Sequence, residues 1–256
     1  MVSLSLNGKV ALITGGSRGI GAAAVRLFVA AGARVFFSYE RSQAQAEQLV
    51  RELGEENCAA AACNLASIEA AERLVDAAVQ RFGRLDALVA NHGIWPPGDA
   101  PVDQMSAEQW HGTVAVNLDS VFGLVKRSVA RMKKQGKSGG QIVLISSTAG
   151  QRGEALHCDY AASKGALISM VKGLSTELAP HGIRVNCVAP GWVDTDMSAP
   201  ALNDAKTRDT VLAKIPLGRV ATPAEIAAPI LFLCTEHAGF ITGEIFNVNG
   251  GAVLVG

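Results

Sequence analysis

The sequence predicts an α/β fold in which a single parallel sheet of about seven strands is doubly wound, with helices on both faces. Two observations carry this. Short apolar or β-branched runs alternate with longer amphipathic segments along the whole chain, and strands joined by helical crossovers lie parallel in one sheet covered on both sides. The runs are also short and apolar throughout, as strands buried on both faces require.

In order, KVALIT precedes a helix over residues 19–31, and RVFFSY precedes one over 42–53. CAAAAC is the weakest strand, because alanine favours helix, and only its place in the alternation assigns it. A helix over 67–82 follows, then LDALVA and a long helix over 106–134. QIVLIS, a helix over 158–179, IRVNCVAP, a helix over 223–235 and a final EIFNVN complete the pattern. Residues 191–218, rich in Ala, Asp, Pro and Thr, break it. A long irregular insertion at a strand's carboxyl end is where a substrate lid would sit, with a plain surface loop as the competing reading.

The 256 residues are 49% hydrophobic and 18% charged, enough for one large core and hence one domain over residues 1–256. Lys+Arg and Asp+Glu both number 23, so no basic excess points to nucleic acid or an anionic membrane surface. The N-terminus lacks the pattern of a signal peptide, and no apolar run approaches the roughly 18 residues that span a bilayer. A cytoplasmic protein is expected. The five cysteines contain no CxxC and read as buried thiols, and His92, His111, His157, His181 and His237 are too scattered to suggest a metal.

Directly after the first strand stands TGGSRGIG, residues 14–21, which opens the first helix. Gly15 permits a tight turn, Gly19 lets backbone approach a pyrophosphate, and Gly21 lets helix and strand pack closely, with the helix amides and dipole facing the anion. Between a buried strand and a helix, this glycine pattern predicts a Rossmann-type dinucleotide site.

With DYAASK (159–164), ANHG (90–93) and PGWVDTDM (190–197), the chain resembles the classical short-chain dehydrogenase/reductase family over essentially its whole length. Within it, VNCVAPGWVDTDM, PLGRVATPAEIAAPILFL and ITGEIFNVNGG look most like the bacterial 3-oxoacyl-[acyl-carrier-protein] reductases. The resemblance implies catalytic roles for Asn117, Ser147, Tyr160 and Lys164. It also implies cofactor contacts at Gly15, Ser17, Arg18, Gly19, Ile20, Gly21, Ser38, Tyr39, Asn91, Gly93, Pro190, Gly191, Val193 and Thr195. Two departures stand out. The family's Asn-Asn-Ala-Gly is Ala90, Asn91, His92, Gly93 here, so only Asn91 and Gly93 carry over. Its aspartate after the third strand is Asn64, followed by Leu65, which alters the adenine contact without removing it.

The spacing of Tyr160 and Lys164 stacks them one helical turn apart on the same face. A free phenol, with a pKa near ~10, cannot serve as both donor and base near neutrality. An ammonium about 5 Å away at an effective dielectric near 20 favours the phenolate by about 3 kcal/mol, roughly two pKa units. Lys164 is therefore expected to lower the Tyr160 pKa. Ser147, at the end of QIVLIS, is expected to hydrogen-bond the substrate carbonyl oxygen, with its neighbour Ser146 facing the other way. By resemblance, Lys164 also holds the nicotinamide ribose, and Asn117 holds a proton-relay water.

The cofactor pits two readings against each other. An acid about 20 residues past the glycine turn marks NAD, and Glu40 falls near that distance. Register by resemblance instead puts Tyr39 in the acid's place, with Arg18, Ser38 and Arg41 gathered around a 2′-phosphate. NADP(H) is expected over NAD(H), since a guanidinium suits that dianion. The substrate is expected to be a small carbonyl compound, a 3-oxoacyl thioester foremost, with alcohol, sugar or steroid oxidation as the alternative and a non-catalytic dinucleotide regulator as a remote one. Gly93 to Pro97, Gln151 to His157 and Trp192 form the expected pocket rim, Trp95 and Trp192 flanking the substrate. Arg127, Arg131, Lys133, Lys134 and Lys137 could dock an acidic acyl carrier protein, while His181 replaces an arginine that carrier-dependent relatives tend to have. A homotetramer is expected by resemblance, with VFGLV, YAASKGALISMV and the apolar ending GGAVLVG as candidate contacts.

Overall fold

In the computed structural model, residues 4–96, 98–136 and 139–255 are described. Pro97 of the expected rim and Lys137 of the basic cluster lie outside them. The strands are β1 (Val10–Ile13), β2 (Arg34–Tyr39), β3 (Cys58–Ala62), β4 (Ala87–Ala90), β5 (Gly140–Ile145), β6 (Ile183–Pro190) and β7 (Ile245–Val248). They form one sheet in the order β3-β2-β1-β4-β5-β6-β7, and all pairings are parallel. CAAAA is indeed a strand, at the sheet edge and paired with β2 from Val35↔Cys58 to Tyr39↔Ala62. Its position in the crossover order overrides alanine's helical propensity.

Successive strand residues feed opposite cores. From β1, Ala11 and Ile13 pack with Val25, Phe28, Ile226 and Ile230 on one face. Val10 and Leu12 pack with Leu74, Leu88, Leu124 and Leu167 on the other. The first face is covered by α1 (Gly19–Ala30), α2 (Gln43–Leu53) and α10 (Pro223–Cys234), the second by α3 (Ile68–Phe82), α5 (Ser120–Lys134) and α7 (Cys158–Leu178).

Chain order reverses beside β1: the chain runs outward through β2 and β3, then returns to place β4 on the other side of β1. The loops after β1 and β4 therefore diverge, and a crevice opens at their carboxyl ends. This switch point positions the site.

Three segments depart from the expected elements. The long helix is continuous over 107–134, but a π-turn, Ala115–Asp119, divides it into α4 (Ala107–Val114) and α5. The insertion at 191–218 is only partly irregular, because it holds α8 (Ala199–Asn203) and α9 (Ala205–Leu212), the latter capped by Asp204. A short α6 (Thr148–Arg152) follows β5, capped by Ser147.

The expected contact strips also differ. Val121, Leu124 and Val125 are buried within the subunit, and Gly123 sits against Ile68 and Ala71 of α3. Of VFGLV only Phe122 is substantially exposed, while Phe240, Leu254 and Val255 are open to solvent. Among the described residues no helix is long and apolar enough to cross a membrane.

Candidate active site

The dinucleotide turn is shaped by backbone that side chains would block. Gly19 has φ +54, a left-handed conformation. A Cβ on Gly21 would collide with the Gly15 carbonyl and the Asn91 amide. Asn91 holds the turn from the β4 side, its Nδ2 donating to the carbonyls of Thr14 (3.0 Å) and Gly15 (3.3 Å). At Arg18, the N-cap of α1, no side chain caps the first-turn amides, and no acidic residue lies in that turn. These free donors and the helix dipole fit a pyrophosphate.

Around the turn, Ser17 is buried and Ile20 half-buried, and Pro190, Gly191 and Val193 follow from β6. Thr195 packs its methyl against Gly19, 3.2 Å from where a Cβ would stand. The expected 2′-phosphate pocket is not preformed. Ser38 is buried beneath the turn, accepting from the Gly15 amide at 3.3 Å. Arg18 reaches across to Asp196, 3.0 Å away. Arg41 is exposed, 3.9 Å from Glu40. Tyr39 ends β2 half-buried, Asn64 is exposed and Leu65 buried.

Across the crevice, Tyr160 and Lys164 rise one above the other from α7, both buried. Lys164 Nζ lies 5.8 Å from the Tyr160 ring centre and donates to the Ile145 carbonyl at 2.9 Å. Burial lowers the Lys164 pKa to about 8. The expected depression of Tyr160 is not found. Burial pushes its phenol up, the hydrogen bond with Ser147 only partly opposes this, and the charge of Glu154 adds to it. Desolvation is the largest influence on the phenol, and the Lys164 ammonium, which donates to a main-chain carbonyl, does not offset it.

Ser147 caps α6 by accepting from Ala149 N at 3.1 Å, and its side chain also acts to lower the Tyr160 pKa. Ser146 faces away and donates to the Lys164 carbonyl at 2.7 Å. Asn117 lies in the π-turn. Its Oδ1 accepts from the Ile94 amide (2.8 Å), while its Nδ2 donates to the Ile94 carbonyl (3.0 Å) and Ser163 Oγ (3.2 Å). Gly93 sits where a Cβ would stand 3.1 Å from Lys164 Nζ and 3.2 Å from Asn117 Oδ1.

On the substrate side, the Trp95 ring is 4.0 Å from that of His157 and 4.8 Å, edge-on, from that of Tyr160. His157 Nε2 is 3.1 Å from Asp99 Oδ1, and its buried Nδ1 has no protein partner. Gln151 donates to Asn247 at 2.5 Å and keeps a buried, unpartnered Oε1. Trp192 is half-buried at the head of the insertion. Two members of the basic cluster are engaged within the subunit: Arg127 and Arg131 both bind Asp76 of α3, each at 2.8 Å, and hold its carboxyl below the usual range, while Lys133 and Lys134 are exposed.

Sequence reasoning missed the Ile94 backbone, Ser163, Asp99 and above all His92. The imidazole nitrogens of His92 bridge Thr14 (2.7 Å) and Ser120 (2.7 Å), and the only signal of this was its departure from the family's Asn-Asn-Ala-Gly.

A dinucleotide cradle at the sheet's switch point, facing a buried tyrosine and lysine, defines a nicotinamide-dependent oxidoreductase. Comparison with known proteins agrees. A family model described as Enoyl-(Acyl carrier protein) reductase matches residues 15–253. The 3-oxoacyl-[acyl-carrier-protein] reductase of Vibrio cholerae is 39% identical over 252 residues, covering 98% of this chain and 100% of that protein. An L-rhamnose 1-dehydrogenase (NAD(P)(+)) of Azotobacter vinelandii is 37% identical, covering 95% and 96%. The structure of a short-chain dehydrogenase/reductase titled glucose/ribitol dehydrogenase, from Brucella melitensis, superposes with a TM-score of 0.90 at 36% identity, covering 99% and 100%. The chain belongs to the short-chain dehydrogenase/reductase family.

Proposed function

We propose that this oxidoreductase reduces a ketone to a secondary alcohol with NADPH, its substrate a 3-oxoacyl thioester or a related carbonyl compound. The observation that carries the chemistry is the buried pair of Tyr160 and Lys164 one turn apart on α7, the ammonium 5.8 Å from the phenol ring centre, with the Ser147 side chain acting on the same phenol. When bound, the reduced nicotinamide supplies the hydride. Ser147 orients the carbonyl oxygen and stabilises the charge growing on it. The raised pKa keeps Tyr160 protonated at neutral pH, so its Oη is a ready donor to that oxygen. Lys164 and the π-turn Asn117 resupply the proton from the far side. The glycine turn, Asn91, Gly93 and Thr195 hold the dinucleotide, and residues 191–218 act as the lid.

The thioester is favoured by the full-length match to a 3-oxoacyl-[acyl-carrier-protein] reductase. Delivery on a carrier protein has less support, because Asp76 occupies Arg127 and Arg131. One observation favours a hydroxylated substrate instead: the buried, unpartnered acceptor His157 Nδ1 beside Trp95 and Tyr160, which a sugar or polyol hydroxyl would satisfy. The test follows nicotinamide absorbance with acetoacetyl thioesters, aromatic ketones and ketosteroids using NADPH and NADH in turn, and with sugars, polyols and hydroxysteroids using NADP+ and NAD+ in turn. A highest kcat/KM for the thioester supports the first reading, a highest value for a polyol selects the second, and no turnover of any compound sinks both.

The exposed Phe122, Phe240 and Leu254 support assembly into a homotetramer. A light-scattering mass equal to one chain would refute it.

A further inference from the structure

We propose that His92 is a positioning residue for the proton relay, a rigid strut between Thr14 at the head of the dinucleotide turn and the π-turn that carries Asn117. The hydrogen-bond inventory fixes the strut's polarity. Thr14 Oγ1 already accepts from the Asn91 and His92 amides, at 3.0 and 3.2 Å. Its own proton therefore goes to His92 Nδ1 at 2.7 Å, the alternative Val89 carbonyl being 3.5 Å away. Nε2 must then carry the ring proton. It faces Ser120 Oγ at 2.7 Å and the Val116 carbonyl at 3.1 Å, while Ser120 donates its own proton to Val116 at 2.7 Å. The neutral ring is thus an acceptor at the strand end and a donor at the π-turn, and every proton in the chain is placed.

Both ends of the strut touch the machinery. At one end, Thr14 also offers its carbonyl to Asn91, which grips Gly15. At the other, Val116 adjoins Asn117, and Ser120 opens α5 where the π-turn ends. A π-turn spends an extra residue in its helix and gives up regular i→i−4 bonding. The carbonyl of Val116 is satisfied here by His92 and Ser120, which holds the turn in the register that aims Asn117 at Ile94. The next residue along from His92 is Gly93, where a Cβ would stand 3.1 Å from Lys164 Nζ and 3.2 Å from Asn117 Oδ1. The imidazole therefore ties the cofactor turn to the relay in one connected network, and it acts on turnover through Asn117 rather than by touching substrate.

This inference rests on the relay reading of Asn117, and the experiment separates the two. The full-length variants His92→Ala, His92→Gln, Asn117→Ala and the double variant His92→Ala/Asn117→Ala are assayed with the best ketone and NADPH. NADP+ affinity is measured by titration, and amide hydrogen exchange over residues 115–119 is followed without turnover. Misplacing a catalytic group by about 1 Å costs up to about 100-fold, so His92→Ala is expected to lower kcat about 10- to 100-fold with dinucleotide Kd changed less than about 3-fold. Exchange at 115–119 should accelerate. His92→Gln, whose amide accepts and donates at once, should restore most of both. The double variant should be no slower than Asn117→Ala alone, because residues acting as one unit are non-additive. Additive losses, or a wild-type kcat in His92→Ala, would overturn the strut. Wild-type kcat in Asn117→Ala would remove the relay reading, and unchanged exchange in His92→Ala would then remove the strut as well. If His92→Ala does not fold, Ser120→Ala takes its place, with a smaller loss in the same direction expected and no loss fatal to the proposal.

Discussion

The ammonium of Lys164 stands 5.8 Å from the centre of the Tyr160 ring, yet its hydrogen bond goes to the carbonyl of Ile145. The lysine is thus held beside the phenol without taking its proton. Tyr160→Phe is expected to keep dinucleotide binding and fold while losing about 100- to 10,000-fold in reduction, the range for removing a general acid. Lys164→Ala should weaken both dinucleotide affinity and turnover, whereas Ser147→Ala should act chiefly on kcat. Steady-state kinetics beside nucleotide titration checks all three, and near-normal kcat in Tyr160→Phe would sink the assignment.

The same lysine sets a pH limit. Burial holds its folded pKa at about 8, so the ammonium is present at neutrality and is lost as pH rises through about 8. The rate of ketone reduction should therefore decline on the alkaline side with an apparent pKa near that value, while Tyr160, pushed upward by burial, stays protonated. A kcat profile flat to pH 10 would contradict this.

His92 makes folding stability depend on pH in the acid range. Burial and the nearby Lys164 charge lower its pKa to about 3, whereas in the unfolded chain it titrates near ~6.5. Between these values the unfolded state binds the extra proton, so this contribution is complete above about 6.5 and is lost progressively as pH falls toward 3. Urea unfolding from pH 7 to 4 should show the native protein losing stability more steeply than His92→Gln. Parallel curves would exclude the effect.

Asp76 holds α3 to α5 through Arg127 and Arg131. All three side chains are partly exposed, so Asp76→Ala should cost only about 1 kcal/mol, a fall in Tm of about 2–4 °C. It should also free both guanidinium groups and raise affinity for an acidic protein surface in low salt. An unchanged affinity would mean that this helix end takes no part in carrier docking.

The alternation of apolar runs and helices made the sheet legible in the sequence, because burial of the inner strands on both faces leaves a continuous apolar run. The partly exposed alanine strand at the edge was legible only from its place in that alternation. Tyr160, Lys164, Ser147 and the glycine turn were legible as motif positions. The π-turn was not: residues 115–119 contain neither Gly nor Pro, and the extra residue is held by His92 and Ser120 across the fold. The direction of the Tyr160 shift was likewise hidden. It depends on how deeply the phenol is buried and on the side chains of Ser147 and Glu154 beside it, and neither follows from a spacing of four.

Cofactor choice turns on a competition between Asp196 and the 2′-phosphate for Arg18. β2 ends at Tyr39, and Glu40 lies beyond it, exposed, so the acid that would mark NAD falls one residue past the strand. Neighbouring residues point in different directions there, and NADPH is the expected preference. Arg18, however, is engaged with Asp196 at 3.0 Å, both side chains largely in solvent. Such an exposed pair contributes about 0–1 kcal/mol, less than a guanidinium gains on a phosphate dianion, so NADPH should displace it. Arg18→Ala is then expected to lose NADPH affinity far more than NADH affinity, and Arg41→Ala should do the same. Asp196→Asn, which removes the competitor, should tighten NADPH a few-fold and leave NADH unchanged. Titration of each variant with both dinucleotides checks this, and a kcat/KM favouring NADH in the unmodified protein would make Glu40 the ribose acid and overturn the register.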